Sequence, residues 1–359
     1  MPPDTPPLIS PRRSSFSSVQ RRERLPWPED QPFRILAIDG GGIKGIFPAA
    51  VLAQIEADLL GGRSVVDYFD MIVGTSTGGI LALGFAAGKS AQQLLDLYMV
   101  DGRNVFPPAC WLTRKWRNLR GVFGPRYDNE ALKAMLGKVL EDRRFADART
   151  RLCIPAFEGH HGEVFIFKTP HHPDYRKDGY ELMTTVGAAT AAAPTFYAAL
   201  DSGGYRYVDG GVWANCPAMI GVVDALACFA IEPGQIRVLS LGCGREPYLV
   251  DDGKAAGGLW AWRKALFAAM DLQGQNAIGQ ARLLVGPANV IRLEPQPERA
   301  IELDDWIRAT CELPPLAIDA YKAFEDEINK TFCFAPVAPL KRFWPPIESR
   351  ATYAVSSPA

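Results

Sequence analysis

Tyr68-Phe69-Asp70-Met71-Ile72-Val73-Gly74-Thr75-Ser76-Thr77-Gly78-Gly79 decides how the rest of the chain is read. Tyr68–Val73 is an apolar run of strand length. It turns sharply at the small residues 74–79 and gives way to an Ala- and Leu-rich helix that reaches Ala87. The turn has the form G-x-S-x-G. A serine at such a strand-to-helix turn is lifted clear of the backbone, and Gly74 and Gly78 leave room for the tight geometry and for a substrate. The helix that follows points its N-terminal dipole at any negative charge developing there. The pentapeptide alone is weak evidence; its place between a strand and an apolar helix gives it weight.

Upstream, the same rhythm occurs once before. Phe33–Ile38 is apolar, Asp39-Gly40-Gly41-Gly42-Ile43-Lys44-Gly45 is a glycine-rich turn, and Ile46, Val51, Leu52, Ile55 and Leu59 then share one helical face until Gly61-Gly62. Strand, turn and helix repeated within ~55 residues indicate parallel βαβ architecture. Gly40, Gly42 and Gly45 also fit G-x-G-x-x-G, a dinucleotide fingerprint. That reading needs an acid at the end of the second strand, whereas Asp67 and Asp70 precede the apolar run. An oxyanion hole built from the amides of Gly40, Gly41 and Gly42 fits better.

Downstream, Ser90 is placed to cap a helix to Val100, and Asp128 to cap one through Leu140. Strands are predicted at Leu152–Phe157, Val164–Phe167, Tyr205–Val208, Ile236–Leu241 and Val290–Leu293, an Ala-rich helix over 181–192, and mostly helix in the last ~110 residues.

A nucleophilic serine needs a base. The four histidines, His160, His161, His171 and His172, lie in a Pro- and charge-rich stretch that reads as a surface hairpin and loop, and none follows Asp209. The Ser-acid-His order of an α/β-hydrolase is therefore disfavoured. Asp209 follows a strand and precedes Gly210 and Gly211. Alone it reads as an ordinary Asp-Gly turn; paired with Ser76 it becomes the candidate base, provided burial raises its pKa.

The chain has 359 residues, 48% hydrophobic and 22% charged, with a formal net charge of -1. One large α/β domain accommodates this, and no global field exists to hold nucleic acid. Residues 1–32, rich in Pro, Ser and Arg, read as a disordered arm, with order beginning at Phe33 in a single domain to about residue 350. Seven dispersed cysteines without a CxxC pair point to reduced core thiols. Lack of a signal-peptide core or an ~18-residue apolar run makes a cytoplasmic protein with peripheral membrane contact the expectation.

Three motifs together resemble the patatin-like phospholipases. Asp39–Gly45 is similar to their DGGGxRG segment, with Lys44 where many members carry Arg. Gly74–Gly78 is similar to their GTSTG elbow, and Asp209–Gly211 to their DGG motif. Ala188–Phe196 resembles the helix before that aspartate, Gly211–Pro217 the stretch after it, and Ser240–Gly242 a late strand end. The resemblance implies a three-layer α/β/α sandwich with a mostly parallel sheet. It also implies cleavage of lipid acyl esters through an acyl-enzyme, without metal or other cofactor, by a Ser76–Asp209 dyad.

Phe33–Val105 looks most like bacterial patatin-like effectors of cyclic-oligonucleotide-based anti-phage defence. This implies a cyclic dinucleotide activator, whose site the sequence does not place, and a phospholipid membrane as substrate; a homo-oligomer stays open. A segment near 103–127 reads as a helical insertion. Its stretch Trp111–Arg120 alternates aromatic and cationic residues and fits docking on anionic lipid, grip on a phosphate ligand or a lid, or else an insertion that packs its tryptophans while Arg and Lys stay solvated. A constitutive lipid hydrolase and a non-catalytic nucleotide- or lipid-binding protein are the alternatives, the latter disfavoured by intact Ser76, Asp209 and glycine run.

Overall fold

The structure is a computed structural model that describes residues 22–108, 124–245 and 265–344. Its centre is an eight-stranded sheet of β1 Phe33–Ile38, β2 Met71–Gly74, β3 Arg151–Glu158, β4 Glu163–Lys168, β5 Leu200–Ser202, β6 Tyr205–Asp209, β7 Ile236–Leu241 and β8 Val290–Leu293. The strand order is β5-β6-β3-β2-β1-β7-β8, with β4 paired to β3 outside that path. β3, β2, β1, β7 and β8 pair in parallel. The pairs of β3 with β4, β3 with β6 and β5 with β6 are antiparallel.

β1 and β7 are buried along almost their whole length, which is why they read as unbroken apolar runs. Alternate residues serve opposite layers. Leu36, Ile38, Leu239 and Leu241 pack with helices Ile46–Gln54, Thr77–Ala86 and Trp306–Phe332. Phe33, Ile35, Ala37, Ile236 and Val238 pack with helices Ala218–Cys228 and Ala265–Val285. The result is the expected three-layer α/β/α sandwich, and the two long C-terminal helices cover opposite faces.

Local signals explain the element ends. Ser90 accepts from the Gln93 amide, and Gln93 reciprocates to the Ser90 amide. Asp128 accepts from the Glu130 amide at 3.1 Å. β2 starts later than expected. The Asp70 carboxylate accepts the Arg34 amide at 2.9 Å, and residues 65–67 form a single helical turn, so ladder pairing begins at Met71.

Residues 22–32 do not conform to a disordered arm. Leu25 bridges the backbone of Cys228 and Ala230, both at 2.8 Å. Trp27 packs on Phe33 and Phe229. Arg22 pairs with Asp174 at 2.9 Å and lies over the Tyr175 ring. These few contacts outweigh a composition with little to bury. Trp111–Arg120 and the rest of 109–123 lie outside the described residues. Six cysteines are described and all are free. Among the described residues, no helix is long and apolar enough to cross a membrane.

Candidate active site

Ser76 stands where β2 ends, at φ 53° and ψ -120°, as the residue preceding helix Thr77–Ala86. Few non-glycine residues adopt a positive φ, and this strain turns the serine side chain out of the strand line. Its flanks, Thr75 and Thr77, are buried, while Ser76 itself is part exposed. The elbow is held from below. The Ser76 amide donates to Thr190 Oγ1 at 3.0 Å, and the Thr190 hydroxyl donates to the Pro155 carbonyl at 2.6 Å. Thr75 Oγ1 donates to the Ala214 carbonyl at 2.6 Å.

Asp209 reaches this serine from the opposite direction. Val73 pairs with Cys153 in the parallel β2–β3 ladder, and Ala156 pairs with Asp209 in the antiparallel β3–β6 ladder. Three residues past Val73 is Ser76; three past Cys153 is Ala156. Strand β6 thus runs back toward the sheet and ends level with the serine. The Asp209 carboxylate accepts the Gly211 amide at 2.6 Å and lies near the Ser76 hydroxyl. It is 3% exposed. Burial pushes its pKa up to about 6, although the Ser76 hydroxyl and the Gly211 amide act the other way.

The glycine run lies beside the serine. A methyl group on Gly40 would stand 2.5 Å from Asn215 Oδ1 and 3.3 Å from Ser76 Cβ. The expectation for Gly40 as an oxyanion donor needs correction: its amide is engaged by the Asn215 carbonyl at 3.0 Å. Gly40 instead lets the loop approach Ser76. Gly41 and Gly42 have no amide partner among the described residues and remain the available donors. Gly45, Gly74, Gly78 and Gly210 each have another atom standing where a side chain would begin. Lys44 turns its ammonium to the Gly244 carbonyl at 3.1 Å. Behind the loop, Asp39 pairs with Arg292 at 2.6 Å, and Arg292 also donates to Ser240 Oγ and Glu294.

Thr190 and Arg292 were not picked out as site residues from sequence. Thr190 sits inside the Ala188–Phe196 segment that the motif comparison marks; Arg292 carries no local signal.

The histidines serve elsewhere, as hydrogen-bonding residues, and two of them are buried rather than at the surface. His160 and His161 cap the β3–β4 turn on Glu158. His171 and His172 are 1% and 2% exposed. His171 bridges Thr169 and Asp224 at 2.8 and 2.7 Å, and His172 contacts the Glu23 carbonyl at 2.9 Å. Cys153, His171 and Asp224 bring their polar atoms within 4.8 Å of one another, all buried. Burial pushes the Cys153 thiol well up, so no thiolate is available. Asp224, despite burial, is held below the usual carboxylate range by His171 and Lys168. This cluster ties β4, helix Ala218–Cys228 and the 22–28 segment together.

The family model described as "Patatin-like phospholipase" matches residues 36–222, just over half of the chain, and includes Gly40–Gly45, Ser76 and Asp209. A "cGAMP-activated phospholipase" of Vibrio cholerae serotype O1 is 35% identical over 258 residues, which is 65% of this chain and 72% of that protein. A protein of the same description from Escherichia coli is 35% identical over 234 residues, 61% of this chain and 64% of its own length. The match thus spans just under two thirds of the E. coli relative. Among solved structures, human GIVD cytosolic phospholipase A2 superposes with a TM-score of 0.45 at 11% identity, covering 84% of this chain and 60% of that one.

Proposed function

This chain belongs to the patatin-like phospholipase family, which makes it a carboxylic ester hydrolase, and from that premise we propose a serine acyl hydrolase that works with Ser76 and Asp209 alone. The observation that carries the proposal is a buried carboxylate, Asp209, at the Ser76 elbow, its pKa pushed by burial up to about 6. Near pH 7 that group is ionised yet basic enough to take a proton.

Ser76 Oγ attacks the ester carbonyl while its proton passes to Asp209. The carbonyl oxygen becomes an oxyanion facing the Gly41 and Gly42 amides and the N-terminus of helix Thr77–Ala86. Collapse breaks the ester C–O bond, and the proton on Asp209 leaves with the alcohol, a lysophospholipid for a phospholipid substrate. Water then gives its proton to Asp209 and attacks the acyl-enzyme. The fatty acid departs, and Ser76 recovers its proton from Asp209.

The description of the relatives extends the proposal to a cyclic dinucleotide that switches the lipase on; we further propose that peripheral attack on the inner membrane serves anti-phage defence. Fatty-acid release from mixed phospholipid vesicles by wild type and Ser76→Ala, with and without a panel of cyclic dinucleotides, tests both levels. Release that needs Ser76 and rises with one nucleotide supports the gated lipase. Equal release without nucleotide leaves a constitutive hydrolase, and no serine-dependent release refutes the lipase reading.

A further inference from the structure

A cavity of about 620 Å³ opens between helices Ala265–Val285 and Trp306–Phe332. It reaches Asp39, Gly40 and Asn215 at the oxyanion loop, yet neither Ser76 nor Asp209 lines it. Its size is that of a small-ligand site rather than a packing defect.

The charges on its walls fall into two groups. Near the loop, acids and bases are already matched: Arg292 with Asp39 and Glu294, and Arg245 with Glu294 at 3.1 Å. Farther along the helices, Arg282 lines the cavity with no ion-pair partner among the described residues. Asp319 lines it as well, with no cationic partner within salt-bridge distance there; Asp271, about three turns before Arg282 on the same helix, accepts the Gln275 side-chain amide at 3.4 Å and faces the Arg245 charge of the loop group. Phe324 and Leu316 supply apolar wall. An unpaired guanidinium suits a phosphate oxygen pair. A carboxylate without an ion-pair partner suits N–H donors, and a plain anion would be repelled by it.

We propose that this cleft binds a phosphodiester that also carries N–H donors, with Arg282 on the phosphate and Asp319 on the donors. Two molecules share that chemistry: a cyclic dinucleotide with its purine edges, and an ethanolamine phospholipid headgroup. The inference rests on the hydrolase reading above and deepens it. A ligand whose phosphate reaches Arg245 or Arg292 competes with Glu294 and Asp39 for those guanidinium groups. Asp39 immediately precedes the glycine run, so occupancy is communicated to the oxyanion loop through one ion pair.

The test uses the full chain and the Arg282→Ala and Asp319→Asn variants; both residues are exposed, so folding is preserved and is checked by thermal unfolding. The nucleotide arm measures cyclic GMP–AMP affinity by calorimetry in a Ser76→Ala background. The headgroup arm measures the kcat/KM ratio for phosphatidylethanolamine over diacylglycerol with the same acyl chains. Loss of one charge-assisted contact predicts a drop of about 10-fold or more in one arm for Arg282→Ala. A drop in nucleotide affinity assigns the cleft to the nucleotide, and a collapsed ratio assigns it to the headgroup. If the wild type binds or hydrolyses and neither arm moves in either variant, the cleft assignment is overturned. A wild type with neither serine-dependent hydrolysis nor nucleotide binding overturns the hydrolase reading, and this inference with it.

Discussion

Replacing Asp209 by Asn should abolish hydrolysis and at the same time stabilise the fold. The carboxylate titrates at 3.8 in its ordinary state and at about 6 when folded, because burial disfavours its charge. A raised carboxylate pKa means that the native state holds the proton more tightly than the unfolded chain. Native stability therefore falls as pH rises from about 4 to about 6 and stays low above that. The gap of just over two units corresponds to about 3 kcal/mol at pH 7.5 and shrinks to about 1 kcal/mol at pH 4.5. Asn keeps an acceptor oxygen for Ser76 and Gly211 but carries no charge, so it avoids this penalty. Urea unfolding of wild type and Asp209→Asn at both pH values measures the difference, in which all other titrating groups cancel. The expected gain is up to about 3 kcal/mol at pH 7.5, mostly gone at pH 4.5. A variant no more stable than wild type, with a gap indifferent to pH, would refute the claim that Asp209 is a destabilised buried base.

Three further outcomes follow from the same geometry. Hydrolysis of a soluble ester should lose activity as pH falls through about 6, with kcat/KM roughly tenfold lower at pH 5 than at pH 8; a flat profile down to pH 5 would contradict the dyad. Thr190→Val leaves the Ser76 amide and the Pro155 carbonyl unpaired, at a cost of about 1–3 kcal/mol. It should lower kcat far more than it changes KM, with Thr190→Ser restoring activity; equal effects on both parameters would make Thr190 merely structural. Gly40→Ala sets a methyl group 2.5 Å from Asn215 Oδ1 and 3.3 Å from Ser76 Cβ. Because small displacements of a nucleophile are costly, kcat/KM should fall by about 100-fold, and an unchanged value would show that the loop yields freely.

What the sequence discloses follows the range of the interaction involved. β1, β7 and β8 have the bounds their apolar runs predict, since strands buried on both faces leave an unbroken signal. Ser90 and Asp128 announce their helices because a cap is a contact three residues long. β5, with Leu200-Asp201-Ser202, is a short half-exposed edge strand that carries neither alternation nor β-branched residues, and it was not expected. The direction of β6 is likewise hidden, because it is set by pairing with β3 some fifty residues away. Thr190 acts on a residue 114 positions distant, and Arg292 on one 253 positions distant. Composition alone placed residues 22–32 outside the fold, yet Leu25, Trp27 and Arg22, with backbone carbonyls bonded to His172 and Gln235, anchor them.

The reversed strand is also what makes the proposed two-residue site chemically sufficient. Were β6 parallel to its neighbours, its terminal aspartate would leave the sheet alongside Ser76 and point to solvent with it. A distant carboxylate of ordinary pKa needs a histidine between itself and the serine to supply a base near neutrality. Running antiparallel, β6 brings Asp209 down into the layer of Ala156 and Ala192, where its amide bonds to the Ala192 carbonyl at 3.0 Å and water is excluded. Desolvation then performs on the carboxylate what an imidazole otherwise provides, a proton affinity near the working pH. The histidines are accordingly free for structural use, and His171 and His172 hold Asp224 and the 22–28 segment. A histidine placed beside Asp209 would weaken the site, because its positive form would draw the carboxylate pKa back toward the ordinary range and remove the basicity that burial creates.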